Sequence, residues 1–212
     1  MARGRPRTFD RDTALAAATR LFWERGYEAT SVGELTEAMG IRPASLYAAF
    51  GDKKSLFKEA VAAYGRSPEG AFVARALAEE PTARKAFTRI LHEAAAIYPD
   101  PSHPAGCLVI TAATNVALKD AEVETHLRDL RNTNLKTFEA RLRTARADGE
   151  VPASADPEAL AHYFGAIIQG MSQQARDGAS RRTLTDVADQ AMRTWPEPAD
   201  SPRQSAKEPG SV

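Results

Sequence analysis

The chain has 212 residues, a hydrophobic content of 43% and a formal net charge of zero. Abundant Ala and scarce Val and Ile runs favour helices over sheets. No apolar run reaches the length of about 18 residues that a membrane-spanning helix requires, and the basic N-terminus lacks the apolar region of a secretory signal. Cys107 is the single cysteine, which excludes an internal disulfide and fits a cytoplasmic protein.

The zero net charge conceals an uneven distribution along the chain. Residues 1–66 hold eleven Lys and Arg residues against eight Asp and Glu residues, so the remainder is acidic by the same margin. A basic end on an acidic body indicates a polyanionic partner, although many ordinary solvated surfaces share this pattern.

Two helices are predicted in the first 40 residues. Asp10 is a suitable cap for a first helix that should run to the residue before Gly26. Its apolar residues recur at three- and four-residue spacing, as the buried stripe of an amphipathic helix does. Ser31 followed by Glu34 is the pattern of a capping box, which predicts a short second helix ending near Met39.

Two more helices should follow directly. Gly40 is placed to end the second helix, and Pro43 suits the first turn of a third helix ending near Phe50. Asp52 is a cap for a fourth helix that should continue to about Gly65. Two short helices joined by a glycine-containing turn and braced by a first helix form a helix-turn-helix unit.

Longer helices are predicted after residue 67, separated by Pro, Gly and Asp residues. We expect them over residues 68–79, 82–98, 105–118, 121–148, 157–177 and 181–195. The polar, Pro-rich end has no apolar periodicity and is predicted to be disordered. The chain is therefore predicted to be all-α. We expect a basic flexible arm (1–8), a helix-turn-helix domain (9–52), a linking helix (53–66), a larger helical body (67–195) and a tail (196–212).

Small residues dominate the third helix, and small side chains allow a helix backbone to approach the floor of the DNA major groove. Leu46 and Phe50 are four residues apart and should face the core, which leaves outward the side chains of Ala44, Ser45, Tyr47 and Ala48. Lys53 and Lys54 stand at the start of the fourth helix, where ammonium and backbone N–H groups can meet phosphate. The alternative is a helical hairpin that only packs, in an all-α enzyme or lipid-binding protein.

The stretch EATSVGELTEAMGIRPASLYAAFGDKKSLF, residues 28–57, resembles the DNA-binding domain of TetR-family transcriptional regulators. The resemblance spans residues 9–64 and rests on matched spacings of Gly26-Tyr27, Thr30-Ser31, Gly40-Ile41, Leu46-Tyr47, Phe50-Gly51 and Lys53. Beyond that point it is architectural only. In this family the larger body binds small molecules, and its last two helices form the dimer.

The resemblance implies roles for individual residues in DNA binding. Thr30 and Ser31 would contact backbone phosphate at the start of the second helix, and the Tyr47 hydroxyl and Lys53 would contact further phosphates. At the third helix, the residues nearest to the bases would be Arg42, Pro43, Ala44 and Ser45. Ala48 lies on the same outward face.

The sequence departs from the family pattern at two positions. Arg42 stands where the family often has a Ser or Thr cap, so the cap should be missing and Arg42 would be free to read guanine or touch phosphate. Ala49 stands where the family often has His, which removes a polar contact.

The arginines at residues 3, 5 and 7 form a basic arm before the first helix. An extended arm holding Arg3, Arg5 and Arg7 can lie in a narrow minor groove, where the negative potential is enhanced. The alternative is a disordered tail that only aids solubility.

The body supplies candidate ligand and dimer residues. For most of the candidate pocket residues the favoured alternative is an ordinary core. The candidates are Phe87, Leu108, Thr111, Asn115, Phe138, Tyr163 and Ile167. The last two helices have broad apolar faces. The residues expected in the homodimer interface, where the alternative is packing within one chain, are Tyr163, Ile167, Gly170, Gln174, Leu184, Val187, Ala191 and Trp195.

Reactive and metal chemistry has little support in the sequence. Cys107 is predicted at a helix start, where a lowered thiol pKa would suit a sensor of oxidants or electrophiles, but a free cysteine is more often a small buried side chain. The four histidines lack the spacing of a helix-borne metal site, and we find no enzymatic motif. We therefore expect no metal, no cofactor and no catalytic activity.

These observations together predict a homodimeric repressor that binds a roughly palindromic DNA operator and is released from it by a small molecule. An activator, or a repressor that requires a co-repressor, fits the same sequence.

Overall fold

The computed structural model describes residues 9–112 and 120–198, and all regular structure within these ranges is α-helical. The predicted all-α fold is confirmed. The helices in these ranges are α1 (Arg11–Arg25), α2 (Val32–Ala38), α3 (Pro43–Phe50), α4 (Lys53–Arg66), α5 (Pro68–Glu79), α6 (Ala83–Ile97), α7 (Leu108–Thr111), α8 (Ala121–Ala147), α9 (Pro157–Arg176) and α10 (Arg181–Met192). The basic arm, Asn115 and the tail after residue 198 lie outside the described residues.

The predicted caps explain where the first helices begin and end. Asp10 accepts a hydrogen bond from the backbone N–H of Thr13 at 2.9 Å. Ser31 and Glu34 form both hydrogen bonds of the capping box at the start of α2. Gly26 has a φ of +83°, which only glycine adopts without strain, and it ends α1 as predicted.

Two predicted helices are shorter in the structure. The helix expected over 105–118 begins only at Leu108, because Gly106 has a φ of +80° and Cys107 is extended; residues 113–119 lie outside the described residues. The helix expected over 181–195 ends at Met192. Trp195 lies beyond it and packs against Phe87 and Phe164 at ring distances of 5.7 and 5.6 Å.

The described residues form two hydrophobic cores. The first joins α1 to α4 around Phe22, Leu46 and Phe57, and it also takes in Leu108 of α7 and Val123 near the start of α8. The second fills the body between α5, α6, α8, α9 and α10. Because α7 and the first turns of α8 pack into the first core, the N-terminal helices are joined directly to the body.

Arg11 fixes α3 against α1 and α4. Its guanidinium lies 2.6 Å from the carboxylate of Glu59 on α4, and it stacks over the Phe50 ring at 4.4 Å. Leu46 and Phe50 are buried beneath α3 as predicted. These contacts hold the opposite face of α3 outward.

No helix in the described ranges is both long and apolar enough to cross a membrane.

Candidate nucleic-acid interface and ligand cavity

The outward face of α3 is made of small residues around one aromatic ring. Arg42, Pro43, Ala44 and Ala48 are exposed, and Ser45 is half-buried. Tyr47 is 50% exposed, more than any other large apolar side chain in the described part of the chain. The outward face of α3 thus presents small side chains and one phenolic hydroxyl at the surface.

The start of α3 has no side-chain cap. Arg42 occupies the capping position and makes no capping hydrogen bond, as expected from the missing Ser or Thr. The backbone N–H groups of a first helical turn are positively polarised and can bind phosphate when no side chain occupies them.

At the start of α2, the two residues expected to contact phosphate differ in their exposure to solvent. Thr30 is fully buried, and its hydroxyl donates to the backbone carbonyl of Gly26 at 2.7 Å, so its side chain is not placed to reach phosphate. Ser31 is exposed, but its hydroxyl already donates to Glu34 Oε2 at 2.7 Å. The Thr30 side chain therefore stabilises the turn between α1 and α2, and Ser31 is the residue of the pair at the surface.

Lys53 lies beside the same turn. Its ammonium group is 4.2 Å from the centre of the Tyr27 ring, a cation–π contact. Burial lowers the pKa of Lys53, and the nearby carboxylates of Glu28 and Asp120 act against that shift. The ammonium group of Lys53 is thus held over the ring at the edge of the helix-turn-helix unit.

Ionic and hydrogen bonds connect α4 to the start of α8. Lys54 Nζ lies 3.2 Å from Asp120 Oδ1 and 2.9 Å from Glu122 Oε2. Lys58 also pairs with Glu122. These hydrogen bonds, with Lys58 first, lower the pKa of the Glu122 carboxyl to about 2.

A second junction lies between α1 and the loop before α7. The indole N–H of Trp23 donates to the backbone carbonyl of Gly106 at 3.1 Å, and the Trp23 ring stacks on His103 at 4.6 Å. Ser172 of α9 accepts from the backbone N–H of Cys107 at 2.9 Å. A side chain at Gly106 would meet the Ser172 backbone oxygen at 2.8 Å, so only glycine fits between these elements.

A cavity of about 370 Å³ lies in the body, enclosed by α4, α5, α7, α8 and α9. This volume lies within the usual range for small-molecule sites. Most of its wall is apolar, from side chains that include Tyr64, Phe72, Leu77, Tyr98, Leu130, Phe138 and Ile168. Polar side chains also line it, namely His126, Arg131, Thr133, Asn134 and Thr137 of α8 and Gln169 of α9.

Among the predicted pocket residues that lie in the described ranges, only Phe138 lines this cavity. Phe87 instead packs into the body core against Phe138, Phe164 and Trp195, and Leu108 belongs to the N-terminal core. Thr111 is buried and donates to the Cys107 carbonyl.

Tyr163 and Ile167, the two remaining predicted pocket residues that the structure describes, line an outward depression on α9 and α10 instead. The residues that line the cavity were missed because helical periodicity does not separate a side chain that fills a core from one that borders a space.

Cys107 does not have the environment expected of a resting thiolate. It lines the cavity, and burial raises the pKa of its thiol, with the Tyr64 hydroxyl acting in the other direction. Of the two alternatives for Cys107, the structure favours a buried side chain over a resting thiolate, because desolvation of the thiolate outweighs the backbone N–H groups at the start of the four-residue helix α7.

The residues predicted for the dimer interface separate into three groups. Leu184 and Trp195 are buried in the body core of the chain itself, which corrects that part of the prediction. Tyr163, Ile167 and Val187 line the outward depression, with Ala191 at its base and only 3% exposed. The remaining two predicted residues lie along α9: Gln174 is exposed, and a Cβ built at Gly170 would have no neighbour within 4 Å.

Metal-binding side chains are dispersed over the described ranges. No group of three or more His, Cys, Asp or Glu residues in residues 9–112 and 120–198 is arranged to hold a metal ion.

A helix-turn-helix unit with an exposed small-residue helix, joined to a helical body with a cavity, defines the class of DNA-binding transcriptional regulators with a sensing domain. Family comparison specifies this class. Residues 14–60 match the family described as bacterial regulatory proteins, tetR family, and residues 81–192 match the tetracyclin repressor-like C-terminal domain. The chain belongs to the TetR family of transcriptional regulators, whose members act by binding DNA and are not enzymes.

Individual relatives span nearly the whole chain. The HTH-type transcriptional repressor ComR of Escherichia coli (strain K12) is 36% identical over 92% of this chain and 93% of its own length. The repressor BdcR of the same organism is 30% identical over 87% of this chain and 88% of its own. A solved cysteine mutant of the TetR-family regulator CifR, complexed with 26bp double-strand operator DNA, is 42% identical with a TM-score of 0.87, and the match covers 91% of this chain and 100% of that one.

Proposed function

We propose that this protein is a cytoplasmic, homodimeric transcriptional repressor that binds a roughly palindromic operator and is released from it by a small molecule. The observation that carries the proposal is the outward face of α3, where Tyr47 is 50% exposed beside exposed small residues and Arg42. The similarity to ComR and BdcR, both named as repressors, and to CifR solved with operator DNA supports it.

In the proposed complex, the two copies of α3 enter successive major grooves about 34–36 Å apart. Pro43, Ala44, Ser45 and Ala48 lie against the bases, and Arg42 reads guanine or holds phosphate. Ser31, the Tyr47 hydroxyl and Lys53 contact the backbone, whereas the buried Thr30 supports the turn from within. The arginines of the basic arm, Arg3, Arg5 and Arg7, add contacts in the minor groove.

The proposed dimer forms through the outward face of α9 and α10. Tyr163, Ile167 and Val187 line the depression, and Gly170 and the exposed Gln174 follow further along α9. An open glycine beside apolar side chains allows a helix from a second copy to approach closely.

The proposed signal enters through the cavity. Helices α4 and α8 both line it, and the same two helices are joined through Lys54, Asp120 and Glu122 near the helix-turn-helix unit. A ligand that favours a different spacing of α4 and α8 shifts the spacing of the two recognition helices. About a 10⁴-fold preference for the released state is needed to switch nearly the whole population.

Cys107 supports a second form of signal. Its thiol borders the cavity, and CifR was solved as a cysteine mutant. Because burial raises the pKa of this thiol, we propose that only an electrophile that enters the cavity modifies it. A Cys107→Ser variant that still loses its operator on treatment with such an electrophile contradicts this form of signal.

The domain division drawn from the sequence is retained as part of the proposal. The DNA-binding unit comprises residues 9–52, α4 is the linking helix, and the body begins at residue 67. Leu108 and Val123 belong to the body by sequence but complete the N-terminal core, so the two parts are proposed to move together rather than as independent units.

The test is fluorescence anisotropy with a labelled duplex from the DNA upstream of the protein's own gene, at several salt concentrations. We expect tight, salt-sensitive binding that a scrambled duplex does not displace. Tyr47→Phe should weaken binding about ten- to a hundredfold, since a hydrogen bond to a charged phosphate is lost, without lowering the melting temperature of this exposed site. A ligand that strengthens binding identifies a co-repressor or activator mechanism instead. Failure with this DNA and with a pool of random duplexes contradicts the proposal.

A further inference from the structure

Two polar atoms in the wall of the cavity have no hydrogen-bond partner. Nε2 of His126 and Nη1 of Arg131 are both buried, and neither is paired with any residue in the part of the chain that the structure describes. Both side chains belong to α8 and both line the cavity. Buried polar groups without partners are uncommon in folded proteins, and each one calls for an explanation.

Arg131 is half-buried, and its buried Nη1 carries part of a positive charge that no group in the described ranges balances through a hydrogen bond. Burial lowers the pKa of its guanidinium, and the nearby Arg128 adds to the shift, while the charge of Glu124 opposes it. An arginine nonetheless stays protonated in proteins, so a positive charge remains at the cavity wall. A buried charge is tolerated when an opposite charge and further hydrogen bonds accompany it.

The remainder of the cavity favours an apolar molecule. Phe72, Tyr98 and Phe138 contribute aromatic surface, and Leu77, Leu130 and Ile168 contribute aliphatic surface. The volume of about 370 Å³ is small, so a ligand must place most of its own surface against these groups. The wall thus combines extensive apolar surface with one cation and one imidazole, each half-buried with one unpaired buried nitrogen, and with neutral polar side chains at Thr133, Asn134, Thr137 and Gln169.

We propose that the effector is an apolar molecule with a single carboxylate, which pairs with the Arg131 guanidinium and accepts a hydrogen bond from His126 Nε2. This inference rests on the proposed function, in which the cavity receives the effector. A planar carboxylate matches the planar guanidinium donors. One negative charge balances the one charge of Arg131, whereas a phosphate dianion would leave an excess charge in an apolar space.

The first test compares three probes that share one alkyl chain, namely decanoate, decanol and decylamine, by calorimetric titration of the full chain. We expect decanoate to bind at least tenfold more tightly than decanol, and decylamine to bind most weakly. Arg131→Gln should lower the affinity for decanoate at least tenfold and leave the affinity for decanol unchanged. Lys136→Gln removes an exposed cation five residues later on the same helix, from a side chain that does not line the cavity, so it should change neither affinity.

Two further variants separate a ligand contact from a structural role. Arg131→Lys keeps the charge and should retain part of the preference for decanoate over decanol. His126→Gln should reduce that preference by a smaller factor than Arg131→Gln does. The inference is overturned if decanol binds as tightly as decanoate, if neither binds, or if Arg131→Gln weakens both probes equally. The last result would mean that Arg131 supports the fold of the cavity rather than an anion.

Operator binding measured in parallel distinguishes this inference from the proposed function. Arg131 lies in the body, so Arg131→Gln should bind the operator as wild type does. Arg131-dependent binding of decanoate without operator binding supports the carboxylate site and contradicts the regulator. Operator binding without any preference for decanoate supports the regulator and overturns the carboxylate site.

Discussion

The Tyr27 hydroxyl donates a hydrogen bond to Oδ2 of Asp120 at 2.8 Å, which joins the turn after α1 to the residue before α8. Burial, reinforced by the Asp120 carboxylate, raises the pKa of this phenol well above its ordinary value. The hydroxyl therefore stays protonated at neutral pH and donates to the Asp120 carboxylate. The contact places the DNA-binding unit and the longest helix of the body in a fixed relation.

Removing the hydroxyl should weaken that relation. Tyr27→Phe is expected to lower the free energy of unfolding by about 1 kcal/mol, the usual net value of one such hydrogen bond. Urea denaturation followed by circular dichroism measures the change. In a double-mutant cycle with Asp120→Asn, the effects should be less than additive, and full additivity would contradict a direct interaction.

The contacts of Glu122 predict a dependence of stability on pH. The Lys58 and Lys54 hydrogen bonds lower the pKa of the carboxyl to about 2 from a reference of 4.5, so its contribution is present above pH 4.5 and is lost as pH falls toward 2. Glu122→Gln should therefore reduce the melting temperature at pH 7 and show a much smaller difference near pH 2. Salt should also diminish the difference, because the site is exposed.

Glu124→Gln is the matched control for this titration. Glu124 is the other acidic residue in the first turn of α8, so it experiences the same helix dipole without the two lysine contacts. A loss of stability at pH 7 as large in this variant as in Glu122→Gln would assign the effect to the dipole and not to the lysines.

Arg42 should contribute to the salt dependence of operator binding. If it neutralises one phosphate, Arg42→Gln reduces the slope of log affinity against log salt by about one unit. Arg182→Gln removes an exposed arginine at the start of α10 and should leave the slope unchanged. An unchanged slope with Arg42→Gln, together with altered base preference, would instead assign Arg42 to guanine.

The glycine between Trp23 and Ser172 is predicted to be intolerant of substitution. Gly106→Ala adds a Cβ only 2.8 Å from a backbone oxygen at a φ of +80°, and should cost about 3 kcal/mol of unfolding free energy. Gly178→Ala has a similar φ of +93° but no neighbouring atom within 4 Å. It should cost only about 1 kcal/mol, the share that comes from the backbone. Equal losses of melting temperature would contradict a steric role for Ser172.

The outward depression predicts the effect of a charge on assembly. Val187→Lys places an ammonium group among Tyr163 and Ile167 and should convert the dimer to a monomer in light scattering, with much weaker operator binding. Ala78→Lys adds the same charge at an exposed position on α5 and should remain dimeric. A dimeric Val187→Lys protein would place the interface elsewhere.

The fold was largely predictable because its signals are local. Asp10, the Ser31–Glu34 pair and Gly26 act within one helical turn of their own positions, so their effects are visible in the sequence. Trp195 was misjudged for the opposite reason. Whether its ring covers Phe87 or faces a partner depends on where the chain turns after Met192, which no neighbouring residue encodes.

The candidate site was predictable only in part. The outward residues of α3 follow from the spacing of Leu46 and Phe50, since a short helix with a defined inner face has a defined outer one. The cavity depends on how five helices meet. Arg131 looks like any surface arginine in the sequence, and only the tertiary arrangement shows that one of its nitrogens is buried beside an apolar space.

The two tryptophans of the chain lie at two places whose surroundings should change when an effector binds. Trp23 stacks on His103 at the junction with the DNA-binding unit, and Trp195 lies among the phenylalanines of the body core. Each indole is therefore a native fluorophore for a different part of the molecule. A Trp195→Phe protein retains emission from the junction alone, so the arrival of an effector can be followed in real time without an attached dye.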